Sequence, residues 1–186
     1  MKHQILFIHG AGEGAHALDS QLAASLQDAL ESDYLVKNPK MPKEGAPEYK
    51  LWKEEIARQL AAIDGNLILV GHSLGASVLL KYLAEEPIKI PIVGLFLIAT
   101  PYWGAEGWDY DEYKLRANFA AHLPRNLPIF LYHSRDDEIV EFTHQALYAD
   151  KLPQATVRQL ATGGHQLNND LSEVAADILA LNQHSR

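Results

Sequence analysis

A three-layer α/β/α sandwich around a mainly parallel sheet of about six strands is the fold this sequence predicts, and three observations predict it. Short apolar runs alternate with amphipathic stretches along the whole chain, which is the order of repeated βα units. Two of the runs, at 67–70 and 92–99, are continuously apolar, as strands covered on both faces require. The polar, glycine-bearing stretches all follow the ends of the apolar runs, and the carboxyl edge of an open α/β sheet is where sites are built.

Residues 4–8 form the first strand and run into His9-Gly10-Ala11-Gly12-Glu13-Gly14. Glycines after a strand can cradle a phosphate, but neither G-x-x-x-x-G-K-[ST] nor G-x-G-x-x-G spacing is present. The other reading is a loop whose backbone N–H faces a reacting carbonyl. Over 17–30, Leu18, Leu22, Leu26 and Leu30 stand four apart and predict an amphipathic helix. A short strand at 34–36 leads into a loop, 38–47, whose three prolines exclude a helix. Helical spacing resumes over 48–63 through Leu51, Trp52, Ile56, Leu60 and Ile63, with Trp52 read as core.

The strand at 67–70 ends in Gly71-His72-Ser73-Leu74-Gly75, and a helix over 76–86 follows, with Val78, Leu79, Tyr82 and Leu83 on one face and Pro87 as its stop. Strand, sharp turn and helix form the context of a G-x-S-x-G nucleophile elbow. The serine takes a strained backbone conformation that lifts its hydroxyl above the strand end. Strand and helix then approach so closely that a Cβ at Gly71 or Gly75 would collide. The same turn aims the Leu74 amide and the positive end of the helix at the space over Ser73.

After the strand at 92–99 comes an aromatic stretch in which Tyr102, Trp103, Trp108 and Tyr110 stand beside Gly104 and Gly107. It opens a lid-like insertion at about 101–126, within one domain spanning 1–186. That insertion is too short for a cap domain and predicts a glycine-hinged flap with a short helix over 111–121. A strand at 128–132 ends in His133-Ser134-Arg135-Asp136-Asp137. A helix over 143–151 and a last strand at 155–160 lead to Gly163-Gly164-His165. A helix over 170–181 closes the chain on Leu171, Val174, Ala175, Ile178 and Leu179.

Composition narrows the functional classes. A chain of 186 residues suffices for one domain with a sizeable core, and 47% apolar with 22% charged residues is ordinary for a soluble globular protein. A net charge of −8 with no basic run leaves no nucleic-acid footprint. The absence of cysteine removes disulfides, thiol catalysis and thiolate metal sites. Met1-Lys2-His3 runs straight into a strand without the apolar region of a signal peptide, and no apolar run approaches a membrane span. A cytoplasmic protein without a membrane span is the expectation.

A serine hydroxyl needs a base to take its proton and a carboxylate to orient that base. The chain offers Ser73, then Asp136 and Asp137, then His165, each after a different strand, in the order Ser…Asp…His. A metal reading would gather His133, Asp136, Asp137 and His165, but no H-E-x-x-H or H-x-x-E-H spacing supports it. Of the nine histidines, His3, His16, His122, His144 and His184 read as surface or helix positions.

On the elbow, the His9-Gly10-Ala11-Gly12 loop, the acid turn and Gly164-His165, the chain resembles the α/β-hydrolase superfamily. Within it the chain resembles the small serine hydrolases of the retinoblastoma-binding protein 9 and YdeN type. The resemblance spans nearly the whole chain and lacks the first two strands of the larger fold. It implies Ser73 as nucleophile, His165 as base, and Ala11 and Leu74 as oxyanion-binding amides. The family's acid turn has an apolar residue three after the acid, which selects Asp137 with Val140; His133 stands where the family usually has glycine. His9 and His72, next to the site, and Trp103 and Trp108, in the insertion, are the candidate substrate-binding residues. The implied activity is cofactor-free, metal-free hydrolysis of a small-molecule acyl substrate, a carboxylic ester ahead of an amide or thioester, and the four aromatics beside glycines predict an apolar acyl wall that favours uncharged esters of small to medium acyl length. The rival reading is a binding protein on a catalytically silent hydrolase fold.

Overall fold

The protein, described here for residues 3–183 by a computed structural model, folds around a six-stranded, wholly parallel sheet in the order β2-β1-β3-β4-β5-β6. The strands are β1 (His3–Ile8), β2 (Tyr34–Lys37), β3 (Leu67–His72), β4 (Ile92–Ile98), β5 (Ile129–Ser134) and β6 (Thr156–Leu160). The helices are α1 (Ala15–Ala29), α2 (Tyr49–Ala61), α3 (Leu74–Glu85), α4 (Thr143–Lys151) and α5 (Ser172–Gln183). Met1, Lys2 and His184 lie outside the described residues. Among those described, no helix is long and apolar enough to cross a membrane.

Period-two alternation sorts the strand side chains onto two cores. Ile5, Phe7, Ile68, Val70, Phe96 and Ile98 face α1 and α5, where Leu22, Leu26, Val174 and Ile178 meet them. Leu6, Ile8, Leu69, Leu95, Leu97 and Leu131 face the other way, onto Trp52, Ile56, Leu79 and Tyr148 of α2, α3 and α4. Strand order reverses between β1 and β3, because α1 carries the chain outward to β2 and α2 brings it back across β1. The carboxyl ends of β1 and β3 flank that switch point, where an open α/β sheet leaves a crevice.

Three elements depart from expectation. The helix after Ser73 begins at Leu74 and is buried from Leu74 through Leu83, not on one face only; a helix apolar nearly all round belongs in the middle of a fold. Its one cation, Lys81, is satisfied by the Lys114 carbonyl and the Glu85 carboxylate. The helix expected over 111–121 is two 3-10 turns, Asp111–Tyr113 and Phe119–His122. Lys114 between them is extended, with its carbonyl oxygen turned to Lys81 rather than to a helical partner. In α1, Leu18 is 47% exposed and Asp19 takes the buried place beside Leu22, Ala23 and Leu26. A spacing of four drifts off the true period of 3.6 residues, and Asp19 shares the buried stripe.

Candidate active site

The chemistry gathers at the carboxyl ends of β1, β3, β5 and β6. Ser73 sits between β3 and α3 with φ 52° and ψ −123°, a conformation held only where the surroundings impose it. The constraint is the spacing of the two glycines. A Cβ on Gly71 would lie 2.6 Å from Ala76 Cα, and one on Gly75 would drive into the carbonyl oxygens of Ile8 and His9. The Ser73 hydroxyl accepts and donates nothing among the described residues and opens onto the cleft. Leu74 and Ala11 line that cleft with it, and neither amide is used in a backbone hydrogen bond among the described residues.

Of the two adjacent aspartates, it is Asp137 that meets the histidine. His165 Nδ1 lies 2.9 Å from Asp137 Oδ2. Asp137 also accepts the amides of Ile139 and Val140, each at 2.9 Å, and His133 Nε2 stands 3.2 Å from it. Burial favours the neutral acid, but His133, His165 and the Val140 amide outweigh it and hold Asp137 well below the usual carboxylate range. His133, the departure from glycine, is buried, gives its Nε2 hydrogen to the Val140 carbonyl at 2.9 Å and stands beside the acid. Asp136 does different work. It accepts from the Ser134 hydroxyl and from the amides of Gly163 and Gly164, clamping the histidine loop to the acid turn. Glu138 adds a bond from the His165 amide at 3.2 Å.

Of the two histidines next to the site, His9 lines neither cavity and His72 lines the smaller one. His9 is fully buried; its Nδ1 meets the Gly10 carbonyl, its Nε2 accepts the Met41 amide at 2.9 Å, and its ring packs on Trp52. The side chain after β1 packs against Trp52 of α2, which closes it off from solvent. His72 is also buried, between Asp19 and the His165 carbonyl. Its ring forms part of the cavity floor with both nitrogens already engaged.

Two cavities meet at Ser73. The larger, about 630 Å³, is walled by Trp103, Trp108, Tyr110, Tyr113 and Pro47. The smaller, about 330 Å³, is lined by Gly12, Glu13, Leu18, His165 and Gln166. Ala11, Ser73 and Ile139 border both. Trp103 and Trp108 both line the larger cavity, while Tyr102 turns inward onto Tyr148 and Tyr113 joins the wall instead. The glycines of this stretch close a turn, with the Gly104 amide donating to the Trp108 carbonyl at 2.8 Å. The turn is fastened at its edge: the buried His144 accepts the Tyr102 amide at 2.8 Å, and the Trp108 indole donates to Glu141. Among the described residues no His, Asp or Glu group is arranged to hold a metal ion.

A family model described as serine hydrolase matches residues 11–172. The ydeN gene product of B. subtilis shares the fold at a TM-score of 0.80 and 20% identity, covering 98% of this chain and 100% of that one. Mouse alpha/beta hydrolase domain-containing protein 10 does so at 0.72 and 18%, covering 98% and 90%. The esterase domain of a Rhodothermus marinus protein does so at 0.66 and 19%, covering 95% and 82%. No curated protein matches the sequence significantly.

Proposed function

The chain belongs to the serine hydrolase family, and on that premise we propose that it hydrolyses uncharged carboxylic esters of small to medium acyl length through an acyl-enzyme. Ser73 Oγ attacks the acyl carbonyl while His165 Nε2 takes its proton. Asp137 holds the imidazole with Nδ1–H toward itself, which leaves Nε2 free to act as the base, and stabilises the imidazolium that forms. The Ala11 and Leu74 amides receive the oxyanion, aided by the positive end of α3. His165 then gives its proton to the leaving alkoxide, and water repeats the sequence to release the acid and restore Ser73. The observation that carries this reading is the pairing of a positive-φ serine at the head of α3 with a histidine already oriented by a buried carboxylate.

The two cavities support a placement for each end of the substrate. A general acid must reach the leaving group, and His165 lines the smaller cavity but not the larger. The alcohol portion therefore lies over Glu13 and Gln166, and the acyl chain lies against the tryptophans. No arginine or lysine lines either cavity among the described residues, while Glu48 and Glu112 border the larger and Glu13 the smaller. This disfavours phosphorylated substrates and anionic acyl carriers. Labelling by a fluorophosphonate probe tests the reading. Stoichiometric labelling of wild type that is lost in Ser73→Ala is expected; an unlabelled wild type would overturn it.

A further inference from the structure

The histidine inside the elbow has no part in the reaction above, yet both of its ring nitrogens are committed. His72 is 1% exposed, as is Asp19. Nδ1 lies 2.7 Å from Asp19 Oδ2, and Nε2 lies 2.9 Å from the carbonyl oxygen of His165. Asp19 Oδ2 also accepts the Gly10 amide at 2.8 Å, and Oδ1 accepts the Gln166 side-chain amide at 3.0 Å. The Gly10 amide, which can only donate, binds the same oxygen that faces His72 Nδ1, so that oxygen is an acceptor and the carboxyl is ionised. Both neighbours of the His72 nitrogens only accept, so each nitrogen must carry a hydrogen, and His72 is an imidazolium. The surroundings agree. Burial alone would push His72 down, but the charge and hydrogen bond of Asp19 and the His165 carbonyl outweigh it and hold His72 above its usual value. Burial would raise Asp19, and His72 overrides it to hold the carboxyl at about 2.

The pair joins parts of the chain that the reaction needs in register. Asp19 belongs to α1, His72 ends β3, Gly10 precedes the Ala11 amide, and His165 with Gln166 stands in the loop after β6. We propose that Asp19 and His72 are positioning residues, a buried charge pair that fixes the oxyanion loop and the base-bearing loop to each other and to the elbow. The proposal rests on the roles given above to Ser73, Ala11 and His165. In this arrangement His165 is held at three points: its ring by Asp137, its carbonyl by His72, its amide by Glu138. The Gly10 amide, pinned to Asp19, sets the plane from which the next peptide presents the Ala11 N–H.

Asp19→Asn separates the charge from the shape. An asparagine oxygen still accepts from Gly10, and its amide can meet Gln166 Oε1, which has no hydrogen-bond partner among the described residues. Without the carboxylate, His72 drops to the neutral Nδ1–H form and its Nε2 stops donating to His165. We expect kcat on a p-nitrophenyl ester to fall about 10- to 100-fold with KM within about threefold, the signature of a displaced reacting group rather than lost binding. Asp19→Asn/His72→Ala should be no slower than His72→Ala alone, because Asp19 acts through His72. Nitrogen-15 spectra of histidine-labelled wild type at pH 7 should show one buried imidazole with both nitrogens protonated, absent from His72→Ala and neutral in Asp19→Asn.

A neutral His72 in wild type, wild-type kcat in Asp19→Asn, or a loss confined to KM would each overturn the proposal. The hydrolase reading would survive any of these if wild type takes the fluorophosphonate label. A wild type that does not label would remove the reaction and the positioning role with it, and the spectrum would still report the charge of the pair.

Discussion

The two walls of the cleft are held in opposite ways. On the histidine side, the side chains that fix the geometry are buried and polar: Asp19, His72, His133 and Asp137 are each satisfied by directed hydrogen bonds. On the aromatic side, Trp103 packs edge-on or tilted against Trp108, Tyr110 and Tyr113, and the polar ties lie at the rim, as in the bond from Trp108 to the exposed Glu141. Directed bonds in a water-free setting fix positions to a fraction of an ångström. Aromatic packing fixes volume and leaves side chains room to adjust. A substitution on the first wall should therefore change rate, and one on the second should change which substrate fits.

The largest effects should come from the first wall. Ser73→Ala should lower kcat by on the order of a million-fold without loss of fold, read from p-nitrophenyl ester turnover beside circular dichroism. Retention of more than a few per cent of the rate would remove Ser73 from the nucleophile's place. Asp137→Asn should follow at about ten-thousand-fold, because an asparagine amide favours the wrong imidazole tautomer. Asp136→Asn should be far milder, since Asp136 serves the Gly163 and Gly164 amides rather than the imidazole. Equal losses at the two positions would mean that the histidine loop, not the tautomer, limits the rate.

Acid should reach the same wall next. The folded-state value of Asp19 is about 2, below its ordinary 3.8. A depressed carboxyl adds stability at any pH above its unfolded value and loses it as pH falls toward the folded one. The window is therefore about pH 4 down to 2, and the amount is about 2 kcal/mol. Denaturant titrations at pH 5 and pH 2 should show this loss in wild type and a smaller one in Asp19→Asn. Parallel curves for the two proteins would mean that the carboxyl is not held down by His72.

The same contrast decides what could be read from the sequence. Ser73, Asp137 and His165 were legible because each is marked locally: the serine by two glycines that no other residue can replace, the acid by Val140, the histidine by Gly164. Sheet and helices were legible because the apolar runs are long and their periods distinct. Asp19, His72 and His133 were not, since their roles exist only across the fold; Asp19 and His72 are 53 residues apart. One signal of the buried pair is present in the sequence. Asp19 falls with Leu22, Ala23 and Leu26 on a 3.6-residue stripe, and an acid on an apolar stripe demands a buried partner. The 3-10 turns between 111 and 122 carry no such mark, because the Lys114 carbonyl that interrupts them answers to a lysine on α3.

The smallest effect should be the most diagnostic of the aromatic wall. Trp103 and Trp108 cross at 71° with centroids 5.2 Å apart, and together they close the larger cavity opposite Ser73. With the acyl chain placed against this wall, a butyryl or hexanoyl chain buries more methylenes there than an acetyl group does. Each methylene buried there contributes about 0.8 kcal/mol, so removing one indole should cost the medium-chain esters about tenfold in kcat/KM while acetate stays within about threefold. The two substitutions should also differ. The Trp108 side chain is held at the rim by its bond to Glu141 and by edge contacts with Trp103 and His144, so Trp108→Ala should open the cavity outward and shift the optimum to longer chains. Trp103 packs against the core beside Tyr113, so Trp103→Ala should leave a void that flattens the chain-length profile without lengthening it. A p-nitrophenyl series from acetate to palmitate on wild type and both variants reads all three profiles. A wild-type maximum at palmitate, or three superimposable profiles, would show that the acyl chain does not lie against this wall.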